Sequence, residues 1–105
     1  MLSGIKLFDL TGRNAVITGG SKGLGAAMAA GLASAGANVM LVSRTEAEAC
    51  VTAETIAAEF GHKAIGHRAD ICVESETEAM AQRAIDELGG IDILINSAGI
   101  NIRGP

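Results

Sequence analysis

The residues best suited to chemistry lie in one run, Thr18-Gly19-Gly20-Ser21-Lys22-Gly23-Leu24-Gly25. Glycine carries no Cβ, so it takes tight backbone turns and lets a bulky anion approach the main chain. Arg13 to Ile17 before the run is short, apolar and partly β-branched, as a buried parallel strand is. Leu24, Met28, Leu32 and Ala35 after it are spaced as one stripe of an amphipathic helix. A glycine-rich turn from strand to helix points free backbone N–H groups, and the positive end of the helix dipole, at whatever sits in front of it. The chemistry this implies is the holding of a pyrophosphate.

The rest of the chain supplies the elements that must position this turn. Leu7, Phe8 and Leu10 are expected to tuck a leader against the domain, with Thr11-Gly12 turning into the first strand. Ala35-Gly36-Ala37 stops the first helix, because Gly tolerates the left-handed conformation there. Val39 to Val42 is a second apolar strand. Thr45 and Glu48 match a capping box that opens a helix with the apolar face Ala49, Ala53, Ile56, Ala57 and Phe60, ended by Gly61. Lys63 to Ala69 is a third strand, diluted by Gly66, His67 and Arg68. Ser75 with Glu78 is a further capping box, and Val73, Thr77, Met80, Ala84 and Leu88 line a third helix up to Gly89-Gly90. Ile91 to Ile95 is a fourth, strongly apolar strand.

This β-α-β-α-β-α-β alternation implies parallel pairing through right-handed crossovers. The fold class is α/β: one nucleotide-binding half of a Rossmann-type, doubly wound parallel sheet, with its ligand at the carboxyl ends of the strands.

Composition excludes several other classes. The chain has 105 residues, is 49% hydrophobic and carries a formal charge of −4 without a basic block, which argues against disorder and against a nucleic-acid partner. No apolar run approaches the roughly 20 residues that span a bilayer, and no secretory signal is visible, so a membrane is not expected as a partner. Cys50 and Cys72 form no CxxC pair and read as small core hydrophobes of a cytoplasmic protein. His62 and His67 read as a loop and a strand residue, with no second ligand in sequence reach to suggest a metal.

The glycine spacing is G-x-x-x-G-x-G, preceded by Thr18, and Asn96-Ser97-Ala98-Gly99 follows the fourth strand. Together these resemble the short-chain dehydrogenase/reductase family, whose motifs are T-G-x-x-x-G-x-G and N-N-A-G. Leu10-Thr11-Gly12-Arg13 and Ala69-Asp70-Ile71 extend the resemblance over essentially the whole chain, with Ser97 departing from the usual second Asn. It implies a strand order of 3-2-1-4 and a dinucleotide held by Gly19, Ser21, Lys22, Gly23, Leu24 and Gly25.

Where NAD-preferring domains place an acidic residue, this chain has Ser43-Arg44. Arg44 can clamp a 2′-phosphate through several charge-assisted hydrogen bonds, and Lys22 adds a second cation. The expected cofactor is therefore NADP in preference to NAD, the alternative being that both are ordinary solvated charges. The resemblance gives Asp70, with the Ile71 backbone beside it, to the adenine amino group. A cap on the following helix is the competing role for Asp70. Asn96 either orients backbone near the cofactor ribose or bridges adjacent strands. Ala98 and Gly99 are small enough to let the cofactor lie close.

The family reduces carbonyls with a tyrosine acid/base, a lysine from Y-x-x-x-K and a serine. This chain contains no tyrosine, so no catalytic residue is assigned in it. The expectation is that residues 1–105 are the NADP-binding portion, an N-terminal fragment, of a longer homo-oligomeric oxidoreductase acting on a small alcohol or ketone. Leu7 to Gly12 and Gly99 to Pro105 are most similar to the gluconate 5-dehydrogenase-type sugar-acid enzymes, with the 3-oxoacyl-carrier-protein reductases next. A non-catalytic NADP-binding module is the alternative. A methyltransferase is disfavoured because Ser43-Arg44 lacks the acid its ligand's ribose needs. Taken alone, such a fragment would leave the Ile91 to Ile95 strand as a bare apolar edge, prone to self-association.

Overall fold

The computed structural model describes residues 9–19 and 22–97. Leu7, Phe8, Ser21, Ala98, Gly99 and the segment 100–105 lie outside the described residues. The elements in order are β1 (Asn14–Thr18), α1 (Gly23–Ser34), β2 (Asn38–Ser43), α2 (Glu46–Phe60), β3 (Ala64–Arg68), α3 (Glu74–Leu88) and β4 (Ile93–Asn96). The strands form one parallel sheet in the order β3-β2-β1-β4. This is the order that the family resemblance implies.

The sheet carries helices on both faces. Ala15, Ile17, Val39 and Leu41 pack with Ala29 and Ala33 of α1 and with Ala53 and Ile56 of α2. Val16, Met40 and Val42, the alternate positions, pack with Met80 and Ala84 of α3. The change of face follows from topology. The chain steps outward from β1 to β2 to β3 and then crosses back to β4, so a crossover of constant hand must use the opposite face. β1 and β2 are thus covered on both sides, which explains their continuous apolar runs. Leu10 packs against the α1 side of the core, and its N–H donates to Ala35 O at 2.7 Å. β4 is an edge of the sheet among the described residues, with Leu94 exposed.

Two features of the packing differ from the periodicity of the sequence. α1 buries Gly25, Ala29 and Ala33, while Leu24 is 58% exposed and Met28, Leu32 and Ala35 are half-buried. α1 has no charged residue, so its apolar pattern points in no single direction, and close approach to the sheet selects the small residues. Cys72 is exposed and Cys50 half-buried, so neither is the core residue expected of it.

The helix ends show which signals are used. Gly61 and Gly89 cap α2 and α3 in the left-handed conformation, with φ of 75° and 97°. Thr45 is the N-cap of α2 but makes no side-chain capping bond. The reciprocal bond of a capping box is pre-empted, because Thr45 N–H donates to Ser43 Oγ at 3.1 Å and the Glu48 carboxylate faces Lys22. Ser75 lies inside α3, whose N-cap is Val73, so the box expected with Glu78 does not form. The back-reaching acid is Glu76, whose Oε1 accepts from Asp70 N–H and from Arg68 Nη1, both at 2.7 Å.

Gly66 in β3 is a packing site. A Cβ there would stand 2.6 Å from Ala49 C and from Cys50 N, so its absence lets the α2 backbone close onto the strand.

Candidate functional site

Because the strands are parallel, their carboxyl ends share one rim of the sheet: Thr18-Gly19, Ser43-Arg44, Ala69-Asp70 and Asn96-Ser97. The start of α1 lies just beyond the β1 end. Gly19 has φ of 72° and Gly23 of 59°, a conformation that favours glycine at both turn positions. Gly19 N–H donates to Val42 O at 2.7 Å, which anchors the turn to β2. A Cβ at Gly23 would meet no atom of the described residues within 4 Å.

Gly25 works differently. A Cβ on it would overlap the Gly19 carbonyl oxygen and stand 2.6 Å from Ser97 Oγ. Its bare Cα lets the first turn of α1 sit against the β1 and β4 ends, which brings the helix N-terminus over the rim.

The helix starts differ in charge. α2 carries Glu46 and Glu48 in its first turn, and α3 carries Glu74 and Glu76. α1 has no acid there, and its N-cap, Lys22, makes no side-chain capping bond. Its positive dipole end therefore meets no carboxylate from its own first turn, and the first N–H groups of a helix have no partner within it. An anionic phosphate fits this donor set.

The β1 and β4 ends are stitched together by side chains. Thr18 Oγ1 lies 2.8 Å from Asn96 Oδ1, to which it donates. Ser97 Oγ donates to Thr18 O at 2.6 Å and lies 3.2 Å from Gly19 O, while Ser97 N–H donates to Thr18 O at 3.1 Å. The strand-bridging role is thus the one Asn96 plays here. Ser97, which in sequence is only a departure from a motif, locks the glycine turn onto β4. The signal that identifies it is the register Thr18↔Asn96, which sequence does not contain.

At the β2 end Arg44 is exposed, and among the described residues no carboxylate forms an ion pair with it. Lys22 Nζ lies 3.6 Å from Glu48 Oε2, so the N-cap cation before α1 reaches toward the start of α2, two residues beyond Arg44. A cleft of about 370 Å³ lined by Lys22, Ala47, Glu48, Val51 and Thr52 opens there.

At the β3 end Asp70 does not cap α3, whose N-cap is Val73. Its Oδ1 accepts Cys72 N–H at 3.0 Å, closing a local turn. Ile71 O accepts the Thr77 hydroxyl at 3.1 Å. Both residues are half-buried at the rim.

His67 sits apart, within β3, where Arg83 Nη1 lies 3.2 Å from its Nδ1 and 2.9 Å from Gly66 O. A guanidinium only donates, so Nδ1 accepts and the ring is held neutral. Burial and then the Arg83 charge push its pKa below the usual 6.5, against a smaller opposing pull from Glu46. This is a strand residue in a structural contact. Among the described residues no group of His, Cys, Asp or Glu can hold a metal, and no helix is long and apolar enough to cross a membrane.

Comparison with known proteins gives a consistent picture. The family model described as short chain dehydrogenase matches residues 13–105. The 2-dehydro-3-deoxy-D-gluconate 5-dehydrogenase of Formosa agariphila is 39% identical over 101 residues, covering 96% of this chain and 38% of that protein. A short-chain type dehydrogenase/reductase from Mycobacterium marinum superposes with a TM-score of 0.81 at 40% identity, over 86% of this chain and 36% of that one. The L-sorbose reductase of Gluconobacter frateurii, solved with NADPH and L-sorbose, superposes with a TM-score of 0.79 at 32% identity, over 83% of this chain and 33% of that one. The chain therefore spans about a third of the length of these relatives.

Proposed function

Because the chain belongs to the short-chain dehydrogenase family, we propose that residues 1–105 form the cofactor-binding portion of an NADP-dependent oxidoreductase. The whole protein would interconvert an alcohol and a ketone, with a sugar or sugar acid as substrate class. The observation that carries this reading is the acid-free start of α1 over a glycine turn, beside a β2 end that offers Arg44 instead of a carboxylate.

When bound, the nicotinamide supplies the hydride donor or acceptor. The chain's own residues bind and orient. Backbone N–H groups at Gly23 to Gly25 hold the pyrophosphate, with Leu24 exposed beside them. Arg44 and Lys22 hold the 2′-phosphate, and Ser43 Oγ fixes the turn that presents Arg44 by accepting Thr45 N–H. Asp70 has one carboxylate oxygen committed to Cys72 N–H, which orients the group to accept from the adenine amino group. The Thr18–Asn96 and Ser97 contacts hold the rim rigid under the ribose and nicotinamide. The proton at the carbonyl oxygen is handled by a tyrosine and lysine outside this sequence, which has no tyrosine.

The sugar-acid reading draws support from the resemblance of the two ends of the chain and from the name of the Formosa relative, and the broader sugar class from that of the Gluconobacter L-sorbose reductase. The cofactor assignment is tested by titrating the full-length protein with NADPH and NADH, followed by fluorescence or calorimetry. Removing a charged hydrogen-bonding partner costs about 1.5–3 kcal/mol, so Arg44→Ala should weaken NADPH binding roughly 10- to 100-fold and leave NADH nearly unchanged. Lys22→Ala should act in the same direction. An unchanged NADPH/NADH ratio in both variants refutes NADP preference.

A further inference from the structure

The Lys22–Glu48 ion pair is not explained by cofactor binding, and its geometry points to a role in cofactor choice. Lys22 Nζ and Glu48 Oε2 are 3.6 Å apart, with the Lys22 side chain 75% and the Glu48 side chain 42% exposed. The pair spans from the N-cap of α1 to the first turn of α2, and both residues line the cleft with Ala47, Val51 and Thr52. Glu48 sits where a capping box would turn it back onto Thr45 N–H, yet that N–H is taken by Ser43 Oγ. The carboxylate is paired instead with Lys22, the cation at the N-cap of α1.

We infer that Glu48 is a specificity-determining residue that opposes the 2′-phosphate by competing with it for Lys22. This rests on the proposed NADP site. A phosphate monoester of charge about −1.5 to −2 drawn to Lys22 must displace or lie beside the Glu48 carboxylate, and like charges at such range repel. NADH presents only ribose hydroxyls there and meets no such opposition. Glu48 therefore lowers the NADPH/NADH affinity ratio that Arg44 and Lys22 raise. The cleft that both residues line with Ala47, Val51 and Thr52, about 370 Å³, leaves room for the carboxylate to swing away.

The test is NADPH and NADH binding to full-length Glu48→Gln, Lys22→Ala and the double variant, at low and high salt. An exposed ion pair is worth about 0.2–1 kcal/mol, so Glu48→Gln should tighten NADPH binding roughly 1.4- to five-fold and leave NADH unchanged. The gain should shrink at about 1 M salt, where the Debye length falls to about 3 Å. It should also vanish in the Lys22→Ala background. Weaker or unchanged NADPH binding overturns the inference, as does an equal shift for both cofactors or a gain that survives loss of Lys22. If Lys22→Ala and Arg44→Ala leave the ratio unchanged, the NADP site itself fails. If they lower it and Glu48→Gln does nothing, only the role of Glu48 fails.

Discussion

Gly25→Ala and Gly31→Ala place the same methyl group on the same helix and should have opposite effects. Helix propensity alone favours alanine by about 1 kcal/mol at either position. At Gly31 a Cβ meets no atom of the described residues within 4 Å and the residue is exposed, so that gain should be realised in full, about 0.5–1 kcal/mol. At Gly25 the new Cβ overlaps Gly19 O and comes within 2.8 Å of Gly19 C. These are backbone atoms of a turn anchored by Gly19 N–H to Val42 O, so no rotamer change relieves the contact. Ser97 Oγ, 2.6 Å away, is also fixed, by its bond to Thr18 O.

Overpacking against atoms that cannot yield costs about 3 kcal/mol at the upper end of its range, so the net loss at Gly25 should be about 2 kcal/mol after the propensity gain. Relief by moving α1 outward would lift its N-terminus from the rim, so NADPH binding should weaken as well. Urea melts of the full-length protein, with m-values compared, measure the first effect and cofactor titration the second. If Gly25→Ala is as stable as the parent and binds NADPH as tightly, the close packing of α1 on the β1 and β4 ends does not position the phosphate site.

Other outcomes follow from single contacts. Thr18→Val keeps the shape of the side chain but removes the hydroxyl that donates to Asn96 Oδ1. It should cost about 1–2 kcal/mol in urea melts. Gly66→Ala forces a methyl into the α2 backbone at Ala49 and Cys50 and should cost roughly 1–3 kcal/mol, read out as faster amide exchange in β3. His67 is held neutral, with its pKa below 6.5 through burial and Arg83, so the folded state binds fewer protons than the unfolded chain. Its stabilising contribution is present above pH 6.5 and is lost as the pH falls through and below that value. His67→Gln should flatten the part of the stability profile that falls below pH 6.5, and an unchanged slope would remove His67 as the cause.

The order of elements was legible in the chain because hydrophobic period and turn residues are local. Val39 to Val42 sits inside β2, and Gly61 and Gly89 stop α2 and α3 where such glycines are expected to. The glycine run between an apolar strand and a helix, and Arg44 at the end of β2, on which the proposed phosphate site and cofactor preference rest, are both read from residue type and spacing. Family membership, too, was carried by short motifs. What local pattern does not contain is which atoms meet.

Only the packed structure chose the small-residue face of α1, because an uncharged helix has no polar side to orient it and approach distance decides. It diverted Glu48 from Thr45 to Lys22, since Ser43 Oγ reaches that N–H first. The same packing turned Ser97 from a motif irregularity into the clamp on Thr18 and Gly19, a contact between residues 79 and 78 positions apart. Sequence determines what each segment tends to form, because those preferences act within a turn or a strand. The tertiary structure alone decides which polar groups pair, because each donor and acceptor goes to the nearest partner that the sheet register brings within about 3 Å.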